Sequence, residues 1–428
     1  MDKSNCNDNK IIDKLAQYRN NSKSVRKNEE REQSQVKVNK HPHNDEMFVN
    51  FKYDNLDWRD EPVVFEKKSY IYCNFTNCKF GETAVLDESK MYHTSTSFWN
   101  VTFENCIFEN VYFEVCYFWN CIFKNCQFKE YKVVFERCCF RNIKTIFNED
   151  KKEHETYYSS SEFLCCQLTG IEWRECFGDN LIFEGNTLMH SAFKDCEMPG
   201  VIMKDNMFYS TYFNNCDIKD LSIIGMRYAD LEFHFTEKSK DICMHKSIYV
   251  GKMDTKYLNK HEDYEIVSKF YYTLLEYLGM RNIDTQNMSE YRYRYNYYSM
   301  KAKPWWEQIW DRISWLLCGY GEKLWRFVVA FLSIIVLPTF GYLFCGLQIC
   351  SELYPLKYHI GGEGTFNLIN LVKDFGKCLH FSIVTFSTVG YGNIVPYGWS
   401  YVISAVQILM GVVFVAIFTS VVLKKILK

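Results

Sequence analysis

From Phe98 an aromatic residue recurs at every fifth position: Phe98, Phe103, Phe108, Phe113, Phe118, Phe123 and Phe128. After irregular steps at Phe135 and Phe140 and an insertion, a second run opens at Phe163. It continues through Leu168, Trp173, Phe183, Leu188, Phe193, Met198, Met203, Phe208, Phe213, Ile218 and Ile223, with only Gly178 lacking an apolar centre. A period of five fits neither a helix nor a plain strand, so it predicts a repeat architecture. The period then becomes helical: Tyr264, Val267, Phe270, Tyr271, Leu274, Leu275 and Leu278 form one apolar stripe. A second, Tyr- and Arg-rich helix is expected over Asn287–Lys303, broken by Pro304. Trp305, Trp306, Trp310 and Trp315, interleaved with Arg312, suit a helix at a membrane interface.

The five-residue period resembles the pentapeptide-repeat family over about 160 residues, roughly Tyr70 to Ala229. The resemblance implies a right-handed quadrilateral β-helix, a solenoid of four pentapeptides per coil. It also implies that the central residue and a small residue two before it point inward. That small position is often cysteine here: Cys73, Cys78, Cys106, Cys116, Cys121, Cys126, Cys138, Cys166, Cys176, Cys196 and Cys216. A thiol there acts as a compact hydrophobe. Cys176, Cys196 and Cys216 would stack at about 4.8 Å, too far for a disulfide. With no secretory signal over Met1–Asn50, the 19 cysteines are expected in reducing cytosol, and none has zinc-finger spacing. The insertions at Gly81–Ser95 and Phe147–Ser160 are expected as flanking loops.

Two long apolar runs follow, Phe327–Leu347 and Trp399–Leu423, each long enough to cross about 30 Å of hydrocarbon as a helix. Pro338 and Gly341 are tolerable inside the first. Lys323 and Arg326 precede the first span, and Lys424, Lys425 and Lys428 follow the second. Basic residues at these ends predict cytoplasmic N- and C-termini in the cell (plasma) membrane. Between the spans, Leu371–Phe386 is apolar and too short to cross, which reads as re-entrant. It leads into Thr388-Val389-Gly390-Tyr391-Gly392. Carbonyls aimed at one axis can replace an ion's water shell, and Gly390 and Gly392 reach the required backbone angles without steric cost.

Over about Leu324–Lys428 the chain resembles the two-span potassium channel family, including Thr385-Phe386-Ser387 before the filter and Pro396 beyond it. The resemblance implies an ion-binding filter at Thr388, Val389, Gly390, Tyr391 and Gly392, flanked by Ser387 and Asn393. One strand supplies a quarter of each carbonyl ring, so a homotetramer is expected. The family usually has Asp where Asn393 stands, partnered by a pore-helix acid where Val384 stands. Gly411 occupies the place of a hinge glycine, with Val415, Thr419 and Leu423 below it as gate candidates. Close helix packing is the alternative role for Gly411. Gln407 would face either the cavity or a neighbouring helix.

The expected organisation is a disordered polar tail (1–62), the β-helix (63–235), a helical connector (256–322) and the all-α two-span pore domain (323–428). The expected function is passive potassium conduction, with K+ at the filter as the sole metal, no cofactor and no catalysis. Partners would be further copies of the chain and the lipid bilayer. A formal net charge of −2 gives no global attraction to nucleic acid. No Arg-rich span precedes the pore, so steep voltage gating is not expected, and any ligand control would act through the solenoid and connector. The alternatives are a weakly selective cation channel and a membrane-tethered pentapeptide-repeat interaction protein.

Overall fold

The computed structural model describes residues 3–33, 46–59, 68–81, 93–94, 96–129, 133–140, 142–148, 153–158, 160–234, 248–251, 258, 261–280, 287–349, 352–354, 368–390 and 392–426. The chain divides into two compact units, Met1–Ala302 and Lys303–Lys428.

The first unit is a four-sided β-solenoid. Strands, most of them two to four residues long, stack in parallel from coil to coil, so Phe98 pairs with Phe118 and Phe118 with Phe140. On the next face Phe103, Phe123 and Phe163 pair in turn. The rings stack at 4.5–4.9 Å between centroids, the strand spacing of a sheet. Most described corners carry a residue with positive φ two positions after the centre: Asn100, Asn105, Asn110, Asn120 and Asn125 all lie near +50°. Asn tolerates this left-handed backbone better than most residues, which explains its recurrence. Gly178, the missing apolar centre, is compensated locally. A β-carbon there would lie 2.5 Å from Leu181 Cδ1, so the leucine fills the space.

The inward thiols bond as well as pack. Cys121 Sγ donates to the carbonyls of Phe98 (3.3 Å) and Trp119 (3.4 Å). Where asparagine replaces cysteine, its amide does the same: Asn186 Nδ2 donates to Phe163 O at 2.8 Å. The sixteen cysteines whose side chains are described are free thiols; Cys350 lies outside the described residues.

Several expectations change here. The solenoid starts earlier than residue 63, with strands Glu46–Val49, Lys52–Asp54 and Asp57–Arg59 forming its first coil. The segment expected to be a disordered tail also holds α1 (Lys3–Gln33). A polar sequence orders because one narrow side is used. Ile11 and Leu15 bury against Ile182, Ile202 and Ile224 of one solenoid face. Arg19 bridges Glu162 (2.9 Å) and Glu184, and Asp8 accepts from Tyr249 Oη at 2.8 Å. The second insertion is a β-hairpin, Ile143–Asn148 against Glu153–Tyr158, rather than a loop. Most of the first lies outside the described residues.

The two connector helices, α2 (His261–Met280) and α3 (Met288–Ala302), belong to the solenoid's core. They close its C-terminal end. Tyr277 and Phe270 meet Phe233 at 5.6 and 6.1 Å. On the outer edge of the last strand, Tyr249–Val250, Tyr291 Oη donates to Ile248 O (2.9 Å) and accepts from Val250 N (2.8 Å). The buried Arg294 donates to the carbonyl of Val250 (3.0 Å) and to Tyr271 Oη (3.2 Å). An exposed sheet edge thus acquires side-chain partners.

The second unit is helical: α4 (Gln308–Cys318), α5 (Leu324–Cys345), α6 (Leu368–Phe386) and α7 (Ser400–Ile426). Gly319, with φ +55°, ends α4 as a left-handed cap. A small antiparallel sheet, Glu352–Tyr354, Leu347–Ile349 and Ile394–Pro396, ties the end of α5 to the segment after the glycines. Trp325–Cys345 and Ser400–Leu423 are long and apolar enough to cross a membrane, with mean hydropathy 2.3 and 2.5.

Candidate ion-conduction site

The glycine-rich segment leaves the C-terminal end of α6. Thr388 N donates to Thr385 O (3.2 Å) and Val389 N to Val384 O (3.3 Å), so the helix unwinds through its last carbonyls. Positive φ then falls on alternate residues: Thr388 (57°), Gly390 (60°) and Gly392 (77°). The glycines reach this region freely. For the β-branched Thr388 it is a strained conformation, of the kind that concentrates at functional sites. Val389, Gly390, Gly392 and Asn393 are exposed in the single chain, and Tyr391 lies outside the described residues.

The segment rests on a packed aromatic base. Phe386, the last residue of α6, packs edge-on to Phe331 of α5 (5.3 Å) and Phe414 of α7 (5.9 Å). Phe414 meets Phe327 at 4.1 Å. Gly411 faces the Phe386 carbonyl, so its lack of a side chain serves close packing between α7 and the end of α6. Val415, Thr419 and Leu423 are exposed in the single chain, whereas Gly411 is buried, and Thr419 Oγ1 donates to Val415 O at 2.9 Å. Ser387 Oγ donates to Val384 O at 3.1 Å. A cavity of about 950 Å³ lies beside the segment, lined by Lys377, His380, Val384 and Asn393 among others.

Sequence reasoning left Gln407 open, and the structure places it between helices. Its side chain is buried. Oε1 accepts from Tyr342 Oη of α5 at 2.7 Å, and Nε2 lies 2.7 Å from Ser382 Oγ of α6 and 3.0 Å from Ile334 O of α5. A polar residue in an apolar run is the signal that marks it, because hydrocarbon offers an amide no partners.

On α4, Trp305 and Trp306 just before the helix and Ile309, Trp310, Ile313 and Leu316 within it are exposed. Trp315 is engaged instead by Arg326, whose guanidinium stands 4.7 Å from its ring. α5 and α7 leave much apolar surface uncovered, with Leu337, Phe344 and Leu409 each about 70% exposed.

Residues 357–428 match the family model described as ion channel, which places an ion-channel segment at the C-terminus of this chain. A search of the curated proteins gives no match. Among solved structures the chain is similar to a trypsin-treated form of QnrB1, a plasmid-mediated fluoroquinolone resistance protein. Identity is 12%, coverage 46% of this chain and 87% of that one, and the TM-score 0.24. It is also similar to HetL, a pentapeptide-repeat protein involved in heterocyst differentiation regulation in the cyanobacterium Nostoc sp. strain PCC 7120. There identity is 5%, coverage 42% of this chain and 86% of that one, and the TM-score 0.13.

Proposed function

We propose that this chain is one subunit of a homotetrameric, potassium-selective channel that conducts passively through Thr388–Gly392. The observation that carries the reading is the positive φ at Thr388, Gly390 and Gly392, directly after α6, which Lys373, Asp374 and Lys377 set apart from the two apolar spans on either side of it. Four such segments around one axis would offer stacked rings of carbonyl oxygen, which substitute for the hydration shell of K+ at little net cost. The uncovered faces of α5 and α7 supply surface for lipid and for neighbouring copies. Val415, Thr419 and Leu423 would then line the inner passage, where an apolar ring gates by dewetting. Both termini face the cytoplasm of the cell in this reading. In this reading the solenoid modulates opening, supported by chain order alone: α3 ends at Ala302 and the second unit begins at Lys303.

A weakly selective cation channel is the second reading. It is favoured by Asn393 and Val384, which cannot form the acid pair that braces related filters.

The purified protein reconstituted in bilayers, under opposed K+ and Na+ gradients, tests both. Potassium selectivity moves the reversal potential close to the K+ equilibrium value, and Gly390→Ala abolishes the current in a tetramer that still assembles. A reversal potential near zero establishes the second reading; silent bilayers or a monomeric protein sink both. Deleting Met1 to Thr255 should change open probability and leave the reversal potential unchanged.

A further inference from the structure

Pro338 stands inside α5 and has no N–H to give to the carbonyl four residues earlier, that of Ile334. In a segment surrounded by hydrocarbon, that carbonyl needs another donor. It has one: Gln407 Nε2 of α7, at 3.0 Å. The adjacent carbonyl, Ile335 O, accepts from Ser382 Oγ of α6 at 2.7 Å and from Thr339 Oγ1 at 2.8 Å. Gln407 and Ser382 are themselves bonded at 2.7 Å, and Tyr342 Oη closes the group from α5. Gln407, Ser382 and Thr339 are buried, with relative exposures of 1%, 0% and 0%. One polar knot therefore joins both spans and the pore helix at the break made by a proline. Ser382 lies one helical turn before Phe386, from which the ion-conducting segment departs.

We propose that Gln407 is a positioning residue that fixes the height of α6, and hence of the filter, against the proline break of α5. The inference rests on the functional reading above. Gln407 touches no conducted ion in this role; it acts through Ser382. The proline and the glutamine form a matched pair, since one removes a donor and the other restores it from a different helix. An alanine at 338 would return the backbone N–H and remove the need for the amide.

The test uses the full-length reconstituted protein in two measurements. The first needs no current: thermal stability of the solubilised oligomer for Pro338→Ala, Gln407→Leu and the double variant. Gln407→Leu should lower the melting temperature, and Pro338→Ala should recover part of that loss. Additive effects would overturn the pairing of Pro338 with Gln407. The second measurement is the K+ to Na+ permeability ratio, which Gln407→Leu should reduce on the order of tenfold, the upper range for a lost hydrogen bond between membrane helices. An unchanged ratio in an intact oligomer would overturn the positioning role. Should Gln407→Leu fail to assemble, Tyr342→Phe and Ser382→Ala each remove part of the knot, and both should lower the ratio by smaller factors. Wild-type ratios in both partial variants would equally overturn it. A wild-type channel with no preference for K+ would sink the functional reading, while the stability cycle would still decide whether the knot exists.

Discussion

Gly411 of α7 lies so close to the end of α6 that a β-carbon on it would stand 2.6 Å from the carbonyl oxygen of Phe386. The obstacle is backbone, so no rotamer change relieves it. Gly411→Ala should therefore separate α7 from the end of α6, at about 1–3 kcal/mol for overpacking. A lowered melting temperature of the oligomer together with reduced unitary conductance is the expected outcome. Unaltered stability and conductance would show that this contact is slack.

Gly178 and Leu181 form a second coupled pair, inside the solenoid. Leu181→Ala should cost about 2–5 kcal/mol, because a fully buried side chain leaves a cavity. Gly178→Ala alone should also destabilise, since its new methyl would meet Leu181 Cδ1 at 2.5 Å. Combined, the two changes should cost less than their sum, because the methyl enters the vacated space. Denaturant unfolding of the four proteins measures the coupling, and strict additivity would refute it.

The five-residue period and the glycine-rich segment were legible in the sequence because each is a backbone requirement repeated or concentrated in residue type. The first coil, expected as part of a disordered tail, left a signal that could have been read: Phe48, Tyr53 and Trp58 keep the same spacing as the later centres. It is masked by polar neighbours and by the break in register before Tyr70. Helix α1 is harder to read. Its contact with the solenoid rests on Ile11, Leu15 and one arginine between two glutamates, and those glutamates lie 143 and 165 residues away. The partner of Gln407 was illegible for a related reason. Sequence shows a proline that frees a carbonyl and an amide that needs a partner, but only the packing of α5, α6 and α7 joins them.

The edge-closing role of Tyr291 gives a third prediction. Tyr291→Phe removes the hydroxyl that serves both Ile248 O and Val250 N, leaving both buried groups unpaired. A loss of about 1–3 kcal/mol is expected, read by thermal unfolding. Hydrogen exchange should rise first at Val250 N–H. Protection unchanged at that amide would mean that the strand edge is held by other contacts.

Thiol reactivity supplies the fourth. Burial pushes the Cys126 and Cys138 thiols well above the usual range, and hydrogen bonding with the Cys126 thiol pushes Cys106 up to about 12. Neutral thiols are poor nucleophiles. Iodoacetamide at pH 8 should modify exposed Cys165 in the native protein and spare these three until denaturant is added. The sign of the linked stability follows: above about pH 9 the unfolded chain releases thiol protons that the folded one retains, so stability falls as pH rises. Peptide mapping of the labelled sites, and unfolding at pH 8 and pH 10, check the two halves separately.

The bonds that join one coil to the next, such as Asn100 N to Trp119 O at 2.8 Å, all run along the length of the solenoid. Stretching it would break many of them at once, whereas bending a loop breaks none. Such an object behaves as a strut: it passes on a push or a twist and absorbs little of either. A force applied to one coil would be shared along the stack as far as α2 and α3, whose residues pack into the same core at its C-terminal end.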